Sequence, residues 1–172
     1  MIIRYSYIFL VIIACSNPQP QKPIQYHKMV MDESMVKEDF ELDREIIEEY
    51  KVKNDTLDFK NNANAFWWAS LEKDKKAKSI DSSVQIEYQY AIYNFKDQEV
   101  YSKEEIGTQY AVLGKTKQIR ALTEIFKELT EGEKAILLVP SFSAYGFSGD
   151  GNKIGSAQPI IIKVEILKLK QL

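Results

Sequence analysis

From Val84 to Ile92 every second residue is apolar: Val84, Ile86, Tyr88, Tyr90 and Ile92, with Gln85, Glu87 and Gln89 between them. A period of two places those five side chains on one face and predicts a half-buried strand over 83–93. Shorter aromatic or β-branched runs predict strands at 65–71, 99–102 and 110–113, and longer apolar runs predict two closing strands at 134–139 and 160–169. In the first of these, Trp67 and Trp68 are expected on opposite faces. The pattern changes at 118–129. Ile119, Leu122, Ile125, Phe126 and Leu129 recur at helical spacing, and Gly132 follows as a candidate left-handed cap. A second helix is expected over 32–53, with Asp32 and Ser34 as candidate N-caps. Its stripe of Phe40, Ile46, Ile47 and Tyr50 is thin, so it needs a partner surface. Packing on its own domain and pairing as a dimerisation or docking helix are both open. Strands around one main buried helix indicate an α+β domain, with an antiparallel sheet bent around that helix.

The N-terminal third divides by composition. Arg4 precedes a continuous apolar run from Tyr5 to Ala14, too short to span a bilayer as a stable helix and of signal-peptide length. The run stops at Cys15, the only cysteine. Ile12-Ile13-Ala14-Cys15 resembles a bacterial lipobox, which implies cleavage before Cys15 and lipid on its thiol. An ordinary secretory signal is the alternative. Residues 16–26 are rich in Pro and Gln and read as a solvated tether. The divisions expected are therefore a lipoprotein signal peptide at 1–14, a lipidated cysteine and tether at 15–31, a helical segment at 32–62 and a folded domain at 63–172. The polar stretch at 54–64 marks the boundary between the last two.

The chain has 172 residues, enough for one ordinary domain with an appendage, and 45% hydrophobic residues suit a packed core. A net charge of −2 with Lys and Glu interspersed gives no field for nucleic acid. One cysteine permits no internal disulfide, and His27, the only histidine, has no companions for a metal site. Gly149-Asp150-Gly151-Asn152 lacks the further carboxylates of a calcium loop. Gly114-Lys115-Thr116 lacks the preceding glycine of a phosphate loop. No metal or cofactor is expected.

The order of features from Gly114 onward is more specific. Gly114-Lys115-Thr116 leads into the 118–129 helix. A strand then ends at Val139-Pro140, followed by Ala144-Tyr145-Gly146, and Pro159-Ile160-Ile161-Ile162 opens the last strand. This order resembles the FKBP-type peptidyl-prolyl cis-trans isomerases, over about Ala65 to Leu172. The resemblance implies a sheet wrapped around one short helix, here with an extra N-terminal helix, and a prolyl pocket. Tyr145 would be the phenol that donates toward the ligand. Ile119 would offer its backbone N–H, with Gln118 before it. Leu122 would lie on the pocket floor, Tyr88 on the wall, Val100 and Tyr101 at the next segment, Ile154 in a flap over 147–158, and Ile162 on the last strand. Taken singly, the aliphatic members would be core in any α+β domain, and Tyr145 could be a structural corner. Leu122, Val100 and Ile162 replace aromatic residues of the family. Tyr101 replaces its aspartate, so no carboxylate is expected in the pocket.

Rotation about a peptide bond has a barrier of about 18–20 kcal/mol, from loss of amide resonance. A catalyst of that rotation needs no nucleophile. It needs a dry site that binds the twisted amide better than either planar form, and a donor for orientation. With the lipobox, tether and N-terminal helix, the motifs Val100-Tyr101-Ser102, Ala144–Asp150 and Lys153-Ile154-Gly155 resemble the gliding-motility-associated FKBP-type lipoproteins of Bacteroidota. That narrower resemblance implies a periplasm-facing envelope isomerase that acts on proline-containing segments of envelope proteins and supports the folding of motility or secretion components. Ser16 after Cys15 gives no signal for inner-membrane retention, so the outer membrane is the expected site. The alternative is a module with the same fold that binds without catalysis, as a chaperone or assembly scaffold.

Overall fold

A computed structural model of the chain describes residues 33–62, 66–72, 84–113, 115–116 and 118–172. The leader, Cys15, the tether, His27, the Asp32 cap and Gly114 lie outside the described residues.

Helix α1 (Glu33–Lys53) follows the expected span. Lys51 and Lys53 sit in its last turn, where cations oppose the negative end of the helix dipole. Asn54 closes it, donating from both its backbone and its side chain to the Tyr50 carbonyl. The buried positions are Asp43, Ile47 and Tyr50, spaced four and three apart along one stripe. Ile47 and Tyr50 cover a patch formed by Ala69, Ile136, Leu138 and Ile161 of the sheet, and Asp43 meets Ser141. Two expected members of that stripe differ. Ile46 points a quarter-turn away and is exposed, and Phe40 stacks on Phe142 at a ring separation of 5.3 Å with both rings partly in solvent. The helix therefore packs on its own sheet.

Among the described residues seven strands follow: β1 (Lys60–Asn62), β2 (Phe66–Glu72), β3 (Val84–Tyr93), β4 (Glu99–Tyr101), β5 (Gln109–Val112), β6 (Lys134–Val139) and β7 (Ile160–Gln171). All pairings are antiparallel, in the order β1-β2-β6-β7-β3-β4, with β5 also on β3. The continuous apolar run of β6 is explained by burial on both faces. Ala135, Leu137 and Val139 point inward, and Ile136 and Leu138 point toward α1. Trp68 packs against the inner cluster and Trp67 against the outer one, as alternation requires. Register shifts in β2–β6, β3–β4 and β3–β7 are the bulges that increase local twist and let the sheet curl. The boundary expected at 62/63 falls between β1 and β2, which are hydrogen-bonded to each other.

Helix α3 (Arg120–Ile125) fills the curl and is shorter than the periodicity suggested. Ile119 is extended at its start, and Lys127 and Glu128 donate three residues back, which tightens the end. All five apolar positions of the expected 118–129 helix are nonetheless buried. Gly132 adopts φ +84° and donates to Ile166 O, pinning the following turn to β7. Helix α2 (Lys103–Ile106) is a four-residue turn capped by Ser102, and neither it nor β1 was legible in the hydrophobic pattern.

Candidate active site

The inner face of the sheet carries one row across five strands. Trp68 pairs with Leu137, Leu137 with Ile162, Ile162 with Ile92, and Ile92 with Tyr101. Tyr88 lies further along β3, opposite Ile166, with its ring on Phe126 of the helix segment at 4.7 Å. Ile119 and Leu122 come down from α3 onto this face. Ile154 joins from the flap and Tyr145 from the loop after Pro140. Tyr88, Tyr101, Ile119, Leu122, Tyr145, Ile154 and Ile162 are thus in one buried cluster, and Val100 packs against it. Gln118 is half-buried and stands outside it, just before the helix.

The loop that presents Tyr145 is built from short turns. Pro140 ends β6, a 3-10 turn spans Ser141–Ser143, and Ala144 donates back to Pro140 O and Ser141 O. Gly146 at φ +62° turns the chain into a second 3-10 turn, Gly146–Ser148. Tyr145 is 5% exposed, and its hydroxyl has no hydrogen-bond partner among the described residues. Among the described residues, the polar side-chain atoms that are both sealed and unpartnered are Tyr88 Oη and Thr130 Oγ1, so the small exposure of Tyr145 includes its hydroxyl. The Ile119 N–H likewise donates to no group among the described residues.

Four phenols share this face and all stay protonated at neutral pH. Burial pushes Tyr145 far above its ordinary value, and Tyr90, Asp150, Tyr101 and Tyr88 each add to the effect. Burial also raises Tyr88, with Tyr90 contributing. Tyr90 is pushed up to about 12 by burial and by Tyr101. Tyr101 is pushed up to about 12 by burial and by its hydrogen bond and proximity to Asp150. A neutral phenol next to aliphatic side chains can donate to a carbonyl without bringing a charge into a dry site.

The expectation of a pocket without a carboxylate is corrected. Asp150 is buried, and its Oδ2 accepts the Tyr101 hydroxyl. The carboxylate arrives from the flap rather than from β4. In the sequence the motif Gly149-Asp150-Gly151-Asn152 falls within the expected flap and shows no sign of a partner. Its partner is 49 residues upstream, and no local pattern links them.

Comparison with known proteins agrees with this geometry. A family profile described as FKBP-type peptidyl-prolyl cis-trans isomerase matches residues 73–167. No curated protein sequence matches the chain. Among solved structures, the chain is similar to a peptidyl-prolyl cis-trans isomerase from Pseudomonas syringae pv. tomato str. DC3000, with a TM-score of 0.62 and 20% identity over 78% of this chain and 96% of that one. It is also similar to FkpA from Escherichia coli, with a TM-score of 0.62 and 19% identity over 80% of this chain and 63% of that one. At such identity the two structures establish the fold, and the profile, which covers more than half of the sequence, establishes the family. The chain belongs to the FKBP-type peptidyl-prolyl cis-trans isomerases.

Proposed function

We propose that this chain is a lipid-anchored prolyl isomerase of the bacterial envelope. It is held at Cys15, faces the periplasm and acts on X-Pro bonds of envelope proteins, including those that support gliding motility. The observation that carries the catalytic part is the Tyr145 hydroxyl, neutral and without a partner among the described residues, beside the aliphatic cluster of Ile119, Leu122, Ile154 and Ile162. Cis and trans X-Pro bonds differ by only about 0.5–1 kcal/mol, so the work lies in the barrier. A twisted prolyl amide is less dipolar than a planar one. An apolar surround favours it, while the Tyr145 O–H and the Ile119 N–H orient the flanking carbonyls. The envelope part rests on the lipobox-like Ile12-Ile13-Ala14-Cys15 and the Pro/Gln tether after it.

The test is a protease-coupled cis/trans assay on Leu-Pro and Phe-Pro peptides, using the full chain carrying Cys15→Ser. Acceleration over the spontaneous rate, reduced about tenfold in Tyr145→Phe, is the expected result. A rate equal to the spontaneous one at high protein concentration refutes catalysis. The binding-only reading has one observation in its favour, since Leu122 and Ile162 are fully buried by neighbouring side chains. Suppressed client aggregation without rate acceleration, unaffected by Tyr145→Phe, selects it. Palmitate labelling of the wild-type chain that persists in Cys15→Ser refutes the anchor.

A further inference from the structure

Several flap side chains meet at Tyr101. Asp150 Oδ1 accepts the N–H groups of Asn152 and Ile154 at 2.9 and 2.8 Å, so the carboxylate first organises its own loop. Its Oδ2 accepts the Tyr101 hydroxyl, and Asn152 Nδ2 donates to the same hydroxyl oxygen at 3.1 Å. Lys153 Nζ lies 4.6 Å from the Tyr101 ring centre and pairs with Glu105 of α2. Flap residues Asp150, Asn152 and Lys153 therefore converge on Tyr101 and the turn that follows it. Tyr101 is completely buried and its hydroxyl is saturated, donating to Asp150 and accepting from the Asn152 side chain and the Lys153 backbone N–H.

A hydroxyl so fully engaged is poorly placed to bind substrate. We propose that Tyr101 and Asp150 are a positioning pair: they latch the flap to the β4–α2 segment and so fix Ile154 across the prolyl site from Tyr145. The pair acts through the wall it holds. The proposal rests on the isomerase function above, because a latch matters to rate only where a pocket wall must be held in register. Small misplacements of groups around a reacting bond have large kinetic effects.

The test uses Tyr101→Phe, Asp150→Asn and the double variant of the full chain. Tyr101→Phe keeps the ring and removes the hydroxyl. Asp150→Asn keeps an acceptor for the two flap N–H groups and removes the charge. Each single variant should lower kcat/KM about tenfold, carried by kcat, and the double variant should lose less than the product of the two. Amide hydrogen exchange separates the latch from general loosening. In Tyr101→Phe the Ile154 and Asn152 amides should exchange about tenfold faster while amides of β6 and β7 keep their rates. An active wild type with Tyr101→Phe within about twofold of it in kcat/KM overturns the proposal. So does unchanged exchange at Ile154, or equal acceleration in the sheet. A wild type with no isomerase activity instead refutes the function, and hydrogen exchange alone then decides whether the latch exists.

Discussion

Asp43 of helix α1 accepts both the backbone N–H and the hydroxyl of Ser141, at 2.8 and 2.7 Å, across 98 residues of sequence. Both residues are buried. Ser141 opens the loop that ends at Tyr145, so a helix on the back of the sheet holds the start of the segment that presents the site phenol.

Burial pushes the Asp43 carboxyl above its ordinary 3.8, against the two hydrogen bonds from Ser141 that pull it down, and Asp39 adds a smaller repulsion. A raised carboxyl contributes stability that is fully present below 3.8 and is lost as pH rises through its folded-state pKa. Asp43→Asn removes this dependence and keeps an acceptor. Thermal melts across the acid range should show wild type falling relative to Asp43→Asn as pH rises above 3.8, with a constant difference at neutral pH. Asp43→Ala leaves two buried donors unpaired and should cost about 2–4 kcal/mol with a parallel loss of isomerase rate. Equal melts for Asn and Ala variants would contradict the link.

The raised tyrosines act at the other end of the pH scale. Tyr50, Tyr88, Tyr90, Tyr101 and Tyr145 all hold their protons more tightly in the folded chain than the ordinary 10.0. Their contribution is complete below that value and disappears as pH rises through the folded-state values. Urea midpoints should be insensitive to these groups up to about pH 9 and then fall steeply, and Tyr145→Phe should make the fall shallower. An alkaline slope unchanged by that substitution would count against its burial.

Two flap glycines separate space from conformation. Gly149 has φ +63°, and a Cβ there would lie 2.1 Å from Ile154 O, whereas Gly151 has φ +74° with nothing within 4 Å. Gly151→Ala should cost only the roughly 1–2 kcal/mol of a left-handed alanine. Gly149→Ala must also displace the backbone at Ile154, so its loss of stability and of isomerase rate should be clearly larger. Calorimetry and the peptide assay on the two variants check the order.

Tyr88 Oη is sealed from solvent and has no hydrogen-bond partner among the described residues. An unpaired buried hydroxyl opposes folding by about 1–3 kcal/mol, while an apolar group of the same shape does not. Tyr88→Phe should therefore leave stability unchanged or raise it by up to about 1 kcal/mol. A melting temperature several degrees below wild type would mean that the hydroxyl does have a partner.

Much of the architecture was legible because it depends on local period. The alternation of β3 and the two-sided apolar run of β6 fixed strands within a residue of their observed limits. Helix α3 was read too long because Ile119, Phe126 and Leu129 keep helical spacing after the regular helix has given way to an extended start and tight turns. Strand β1, Lys-Asn-Asn, has no apolar residue to betray it and exists through its pairing with β2. At the site, the order of Tyr88, Ile119, Leu122, Tyr145, Ile154 and Ile162 was readable in the chain. The saturation of Tyr101 by Asp150 was not, since it joins residues far apart in sequence and follows only from closing the flap.

The position of β7 bears on how the protein is made. It lies between β6 and β3 and supplies the hydrogen bonds that join β1, β2 and β6 to β3, β4 and β5. Without residues 160–171, β6 and β3 each lose their partner on one side, and the two groups of strands have open edges and no seam. Such edges invite pairing with other chains. Closure of the sheet awaits Ile160–Gln171, so the two halves stay unjoined until those twelve residues take their place between them.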